Sequence, residues 1–246
     1  MTEQPVESVF ARAWTLLTTN WIIIVPGVIV GIIVGVASGL LAPAYVTYDA
    51  NGVPVTSVSA SVFGSAVLAL IALIGYIATV AYTTGMAGAA WTRGVTSLAD
   101  GTAIFERDFS RIVIVAVALL VLAVIAVILA IPTLGLSLVA FYLFTLYAMP
   151  SAIVGDRPAM DAIRESFALT VARFVPTLII AIVIFVLKFL GGVIGGVFHF
   201  TPLIGPIIAA IITQIVVAYA ALVVVGEYLN LQQAGRIPPA TVTPGP

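Results

Sequence analysis

The feature that most constrains this chain is a series of six long apolar runs that carry almost no charge. They lie near residues 21–42, 61–91, 111–131, 133–154, 175–198 and 205–229. A helix needs roughly 20 residues to cross about 30 Å of hydrocarbon, and each run supplies that length. Only 8% of the residues are Asp, Glu, Lys or Arg, against about 25% in a soluble domain. So few charges cannot cover a soluble surface. The expected class is all-α: a polytopic membrane protein with six transmembrane helices, forming a single domain over residues 1–233 and followed by an irregular tail at 234–246.

The second run exceeds the need and either tilts or continues beyond the interface. Pro132 and Gly135 leave only a tight turn between the third and fourth runs. Residues 199–206, with His199, Pro202, Gly205 and Pro206, predict a similar hairpin between the fifth and sixth. The N-terminus does not read as a secretory signal: Glu3 and Glu7 stand against Arg12 where a signal starts with positive charge.

Orientation follows from the arginines. Arg12, Arg93, Arg107, Arg111, Arg157, Arg164, Arg173 and Arg236 all fall on one side of a six-span arrangement, while Asp49 and His199 fall on the other. The positive-inside rule makes the arginine side cytoplasmic and places both termini there.

Helical periodicity continues in the segments between spans. Val6, Val9, Phe10, Ala13, Trp14 and Leu17 follow it near the N-terminus. In 157–174, Met160, Ile163, Phe167 and Thr170 share a face opposite Asp161, Arg164 and Glu165, with Asp156 and Pro158 as a helix start. Segment 97–110 is a weaker case, with Ile104, Phe105 and Phe109 among Asp100, Glu106, Arg107 and Asp108. Such amphipathic helices suit the plane of the cytoplasmic interface. Aligning them suggests an internal repeat: Phe10 to Leu16 and Asn20-Trp21 resemble Ile163 to Leu169 and Arg173-Phe174, with a faint middle copy. The unit is one interfacial helix followed by a transmembrane hairpin. The competing reading is that any interfacial helix before a span looks like this.

Tyr147 to Val154, followed by Ala162 to Leu169 and Arg173-Phe174, form a proline-marked span end, a polar turn and an Ala-Ile-x-x-Ser-aromatic-x-Leu helix. This stretch resembles the six-helix membrane domains found beside glycerophosphodiester phosphodiesterases and in related bacterial membrane proteins. The resemblance implies a bacterial or archaeal plasma membrane. It brings no catalytic residue, and no stretch of this sequence is polar enough to form the soluble phosphodiesterase.

The chemistry available is sparse. There is no cysteine and one histidine, which argues against thiolate or histidine metal sites, and no nucleotide-binding or hydrolase motif is present. No cofactor is expected. A net charge of −1 implies no nucleic-acid partner. Small residues are the clearest pattern. Gly27, Gly31, Gly35 and Gly39 line one face of the first span, and Gly191 with Gly195 and Gly192 with Gly196 recur in the fifth. Such faces pack helices closely within a protein or against a partner. Lys188 is the one charge well inside a span; it marks a substrate path or snorkels to the interface. Gln214, Thr83, Thr84, Ser137 and Thr145 are polar span residues that can each bond their own helix. Glu227 reads as a solvated interfacial acid or as a partner for an interfacial arginine. Trp14, Arg164, Glu165, Ser166, Phe167 and Arg173 are the candidate residues of the interfacial helices.

The expected function is therefore a non-enzymatic scaffold or accessory subunit packing against lipid or a membrane partner, with self-association or a larger membrane complex. The alternative is a small transporter or lipid-translocating protein using Lys188, Gln214 and the glycines of the fifth span.

Overall fold

The computed structural model describes residues 4–41, 44–48, 51–58, 61–198 and 204–237. His199, Asp49 and the end of the tail lie outside them. Six helices are long and apolar enough to cross a membrane: Trp21–Leu41, Val62–Arg93, Leu98–Ile128, Leu136–Ile153, Phe174–Val197 and Ile208–Gln233. The chain is a multi-pass helical membrane protein. In order, the elements are α1 (Val6–Thr19), a 3-10 turn (Trp21–Ile24), α2 (Val25–Leu41), β1 (Ala44–Tyr48), β2 (Pro54–Val58), α3 (Val62–Arg93), α4 (Leu98–Ile128), α5 (Leu136–Phe144), α6 (Ala148–Ile153), α7 (Ala159–Ala172), α8 (Phe174–Phe198) and α9 (Ile204–Gln233). They form two compact units. One is Val25–Thr79 and the other is the rest of the described chain.

The smaller unit contains an element that the helical reading passed over. β1 and β2 pair antiparallel, with Tyr45 opposite Ser57 and Thr47 opposite Val55. Their tyrosines, valines and threonines suit a pleated strand. Asn51-Gly52 provides the turn, with Gly52 at φ +75°, a region that glycine enters without a Cβ clash. In the same unit α2 and α3 approach closely at Gly75, where an added Cβ would stand 2.5 Å from Val30 Cγ1.

In the larger unit three helices depart from the simple spans read from sequence. α4 begins at Leu98 and runs without a loop into the third span, broken only at Asp108 (φ −116°, ψ 15°). The fourth span is not one helix: residues 145–147 interrupt it between α5 and α6. α9 ends in a left-handed Gly235 at φ +70°, where the Arg236 N–H reaches back to Leu231 O (3.0 Å). This is a Schellman cap. It turns Ile237 back into the core at 3% exposure, so the start of the supposed irregular tail is fixed.

The α4–α5 turn is tied by side-chain hydroxyls. Ser137 Oγ donates to Ala126 O (2.7 Å) and Thr133 Oγ1 to Leu129 O (2.6 Å). Gly135 supplies φ +84°.

These contacts set a contrast between glycines. Gly75→Ile should cost about 2 kcal/mol by forcing α2 and α3 apart. Gly39→Ala, with nothing within 4 Å of the new methyl, should leave stability unchanged or slightly raised. Thermal unfolding of the two variants in detergent checks the pair; equal losses would show that the close approach at Gly75 does not hold the unit together.

Candidate functional site

Three helical segments lead into spans, and they repeat one pattern of break, burial and contact. α1 and α7 are each 14 residues long. With Val6 set against Ala159, each buried position of α1 has a buried counterpart in α7: Val9, Ala13, Leu16 and Leu17 against Ala162, Ser166, Leu169 and Thr170, with Ala159 and Ile163 buried in α7 besides. Each ends at a residue with the same broken backbone. Asn20 has φ −119°, ψ 51°, and its N–H bonds Leu16 O; Arg173 has φ −129°, ψ 45°, and its N–H bonds Leu169 O. In the same register the α4 break at Asp108 falls opposite both, and buried Gly101 falls opposite Ala13 and Ser166. The middle copy, faint in sequence, is therefore carried by the backbone.

The contacts repeat as well. Each leading helix seats on an aromatic residue of a span. The ring of Tyr219 meets Trp14 edge-on, with centroids 6.0 Å apart, and its hydroxyl donates to Phe10 O (3.3 Å). Tyr82 takes the corresponding place under α4, donating to Leu98 O (2.8 Å) with Thr102 Oγ1 2.5 Å from its hydroxyl. Phe144 stacks on Phe167 with centroids 5.0 Å apart. Trp14, Thr102 and Phe167 are equivalent positions, as are Phe10 and Leu98.

A charged residue sits at the next repeated position: Arg12, Asp100 and Glu165. Arg12 Nη2 donates to Trp91 O (3.1 Å), and its guanidinium lies 4.5 Å from the Trp91 ring. Trp91 Nε1 in turn donates to Leu222 O (2.8 Å). Glu165 accepts from Tyr228 Oη (2.8 Å) and Ser151 Oγ (3.1 Å) and pairs with Arg157 (2.8 Å). Trp91 follows Tyr82 at the spacing at which Tyr228 follows Tyr219 and Ile153 follows Phe144. Two copies thus fasten a charge onto an aromatic of another span. In the third the equivalent partner is Ile153, which offers no polar or aromatic group. Asp100 instead turns back to Arg93 (2.5 Å) and Ser97.

The motif from 147 to 174 has a definite job. The interruption of the fourth span leaves backbone groups without helical partners, which is costly away from water. Hydroxyls of α7 take them. Ser166 Oγ donates to Phe144 O (2.7 Å) and accepts from Tyr147 N (3.1 Å), and Thr170 Oγ1 donates to Leu143 O (3.0 Å). Tyr147, fully buried, places its hydroxyl 3.2 Å from Thr177 Oγ1. Arg111 bonds Ala152 O (3.1 Å) and pairs with Asp108 and Asp156. Asp156 therefore serves an ion pair, and Pro158 precedes the first residue of α7.

Other sequence candidates fall in various places. Glu227 is fully buried rather than solvated. Its Oε2 accepts from Asn230 Nδ2 (3.2 Å), while Oε1 accepts no hydrogen bond. Asn230 also clamps Gln4 through both amide groups, at 3.0 and 3.1 Å. The face read for 157–174 is rotated: Met160 and Phe167 are exposed, and Ala162 and Ser166 are buried with Ile163 and Thr170. Trp14 likewise points outward while Leu16 is buried. Arg164 is exposed and pairs only locally, with Asp161 at 3.5 Å. Lys188 is exposed, with Nζ 5.7 Å from the Tyr142 ring, and Gln214 is half-buried.

The glycine stripes divide. Gly191 and Gly195 are buried and would bring a Cβ to 3.4 Å from Val216 and 3.1 Å from Ala209 of α9. Gly192 and Gly196 have nothing within 4 Å. Gly27 is buried and Gly31 half-buried, whereas Gly35 and Gly39 are open. Glycines outside the stripes do more. Gly101 receives the Tyr82 ring, and Gly226 receives Trp91. The signal for Gly101 was a lone glycine aligned with Ala13 and Ser166, not a four-residue period.

Ser166→Ala should strand a buried carbonyl and a buried N–H at once, costing about 2 kcal/mol. Ser166→Cys, which retains a weak donor, should cost less. Chemical unfolding in mixed micelles distinguishes them, and a neutral Ser166→Ala would remove the hydroxyl lock from the account of this motif. No protein-family model, curated protein or solved structure matches this chain.

Proposed function

We propose that this chain is a non-catalytic scaffold or accessory subunit of a bacterial plasma membrane, with its arginines and both termini in the cytoplasm. One observation carries the reading: the polar side chains of its leading helices and of α9 act on backbone groups and on each other. Ser166, Thr170, Arg12 and Asn230 each bond main-chain groups of another segment, and Glu165 joins Ser151, Arg157 and Tyr228. A reaction centre needs polar groups converging on a space for substrate; these converge on the protein itself. What they leave outward is apolar surface and small residues, including Gly35, Gly39, Gly192 and Gly196, where a neighbouring helix can approach. The resemblance of residues 147–174 to the membrane domains beside glycerophosphodiester phosphodiesterases agrees with a supporting role.

The transporter reading has less behind it. Lys188 sits on the exposed surface against Tyr142, where its long stem can carry the ammonium toward the interface.

Extraction into native nanodiscs followed by mass measurement tests the proposal. A particle containing more than one 25.5 kDa chain, or this chain with a second protein, is expected, and Gly192→Leu with Gly196→Leu should lower that association. A lone chain in lipid would overturn it. The absence of cysteine makes topology directly readable. Val53→Cys should react with a membrane-impermeant maleimide on intact cells, and Met160→Cys only after permeabilisation; the opposite pattern would reverse the orientation.

A further inference from the structure

The three seams between leading helices and spans are built to one plan, and one of them is open. In two copies the position three residues beyond the seating aromatic holds a fully buried side chain, Tyr147 or Leu222, and the position one turn further holds Pro150 or Val225, also buried. In the remaining copy these positions are Gly85 and Gly88. Ile104 and Val154 stand 2.7 and 3.0 Å from where a Cβ of Gly85 and Gly88 would lie, so they cover the two glycines, and the opening lies beside that contact. A cleft of about 300 Å³ remains, floored by Ala89, Ala103, Ile153 and Val154. Its mouth holds Thr92, Arg93 and Asp100. This is also the copy in which the charge-to-aromatic fastening fails, because Ile153 stands where Trp91 and Tyr228 stand elsewhere.

We propose that this cleft binds one zwitterionic phospholipid carrying an ammonium group, such as phosphatidylethanolamine. The inference rests on the membrane reading above and names the lipid that one contact would take. Its floor is apolar and lined by small residues, and it extends about two helical turns along α3 from Arg93, which suits the upper part of an acyl chain. Its mouth carries one cation and one carboxylate. Arg93 is 56% exposed and Asp100 21% exposed at their side chains, so both remain in reach of a headgroup. A phosphate can share the Arg93 guanidinium, which offers a planar fork of donors, while the lipid ammonium meets Asp100. An anionic lipid without an ammonium would draw Arg93 away from Asp100 and offer that carboxylate no cation in exchange. The charge pattern therefore selects for both signs in one headgroup.

Native mass spectrometry of the full-length protein, released from mixed micelles with equimolar phosphatidylethanolamine and phosphatidylglycerol, tests this. The wild type should retain phosphatidylethanolamine over phosphatidylglycerol by about two- to five-fold, the range of a rim ionic contact. Ala103→Phe, at an exposed helical position, should fill the cleft and remove that retention with unchanged circular dichroism. Thr92→Phe at the mouth is the second block should the first not fold. Asp100→Asn should turn the preference toward phosphatidylglycerol. Equal retention of the two lipids by the wild type, undiminished retention in a folded blocked variant, or an Asp100→Asn protein that still prefers phosphatidylethanolamine would each overturn the site. Lipid adducts are counted per chain, so they read independently of self-association: a lone chain that keeps the lipid preference fails the scaffold reading and sustains the cleft.

Discussion

Every buried backbone N–H and C=O in a membrane protein must find a partner inside the protein, because hydrocarbon offers none. An unbroken helix meets the requirement within itself. This chain breaks its helices repeatedly, at Asn20, Asp108, residues 145–147 and Arg173, and the consequences organise the larger unit. Where the fourth span is interrupted, two hydroxyls of α7 bond the carbonyls of Leu143 and Phe144, and one of them accepts the Tyr147 N–H. At the first break the Asn20 side chain carries a similar load. Its Nδ2 donates to Gly94 O (3.1 Å) and its Oδ1 accepts from Thr96 N (2.9 Å), fastening the connection that opens the middle copy. Side chains that look like an idle polar layer in sequence thus hold the places where the backbone departs from a rod.

This constraint explains what could be read in advance and what could not. The six spans follow from length and apolarity alone, since 20 apolar residues have few other places to go. The leading helices were visible through periodicity, and Val9, Ala13, Leu17, Ile163 and Thr170 do face inward, but the faces are rotated from those read. Phe167 and Met160 are large and apolar, and a hydrophobicity argument turns them inward. In fact the inward positions are Ser166 and Ala162, because a helix that must lie close enough for its hydroxyl to reach a carbonyl needs small residues at the contact. Phe167 then covers Phe144 from outside. The hairpin β1–β2 was missed although Asn51-Gly52 is a strong turn signal, because its short strands sit between spans whose hydrophobicity dominates any window.

Glycine spacing misled in a related way. A four-residue period draws attention to the first and fifth spans, yet a Cβ at Gly35, Gly39, Gly192 or Gly196 would meet nothing within 4 Å among the described residues. The glycines that decide packing in the larger unit are single ones set against aromatic rings: Gly101 under Tyr82 and Gly226 under Trp91. A glycine's value here lies in what stands opposite, and one sequence records only half of that pair. Glu227 illustrates the same limit. Its place near the end of a span predicts solvation, whereas α9 carries it into the core beside Asn230.

Repetition gives the strongest handle on meaning. Three copies of one plan share a break residue, a small buried contact and a seating aromatic, and they differ in the residue that closes each seam. A requirement common to all three copies concerns folding: without a small residue at Ala13, Gly101 or Ser166 the leading helix cannot approach. A departure in one copy is free of that requirement and so needs its own reason. Arg12 and Glu165 lock their seams through Trp91 and Tyr228, and their copies carry bulky buried side chains behind the lock. The α3–α4 copy lacks both the aromatic and the bulk. Their joint absence, with Asp100 redirected to Arg93 at the mouth, leaves an apolar cleft behind a paired charge, which is the place proposed for the lipid.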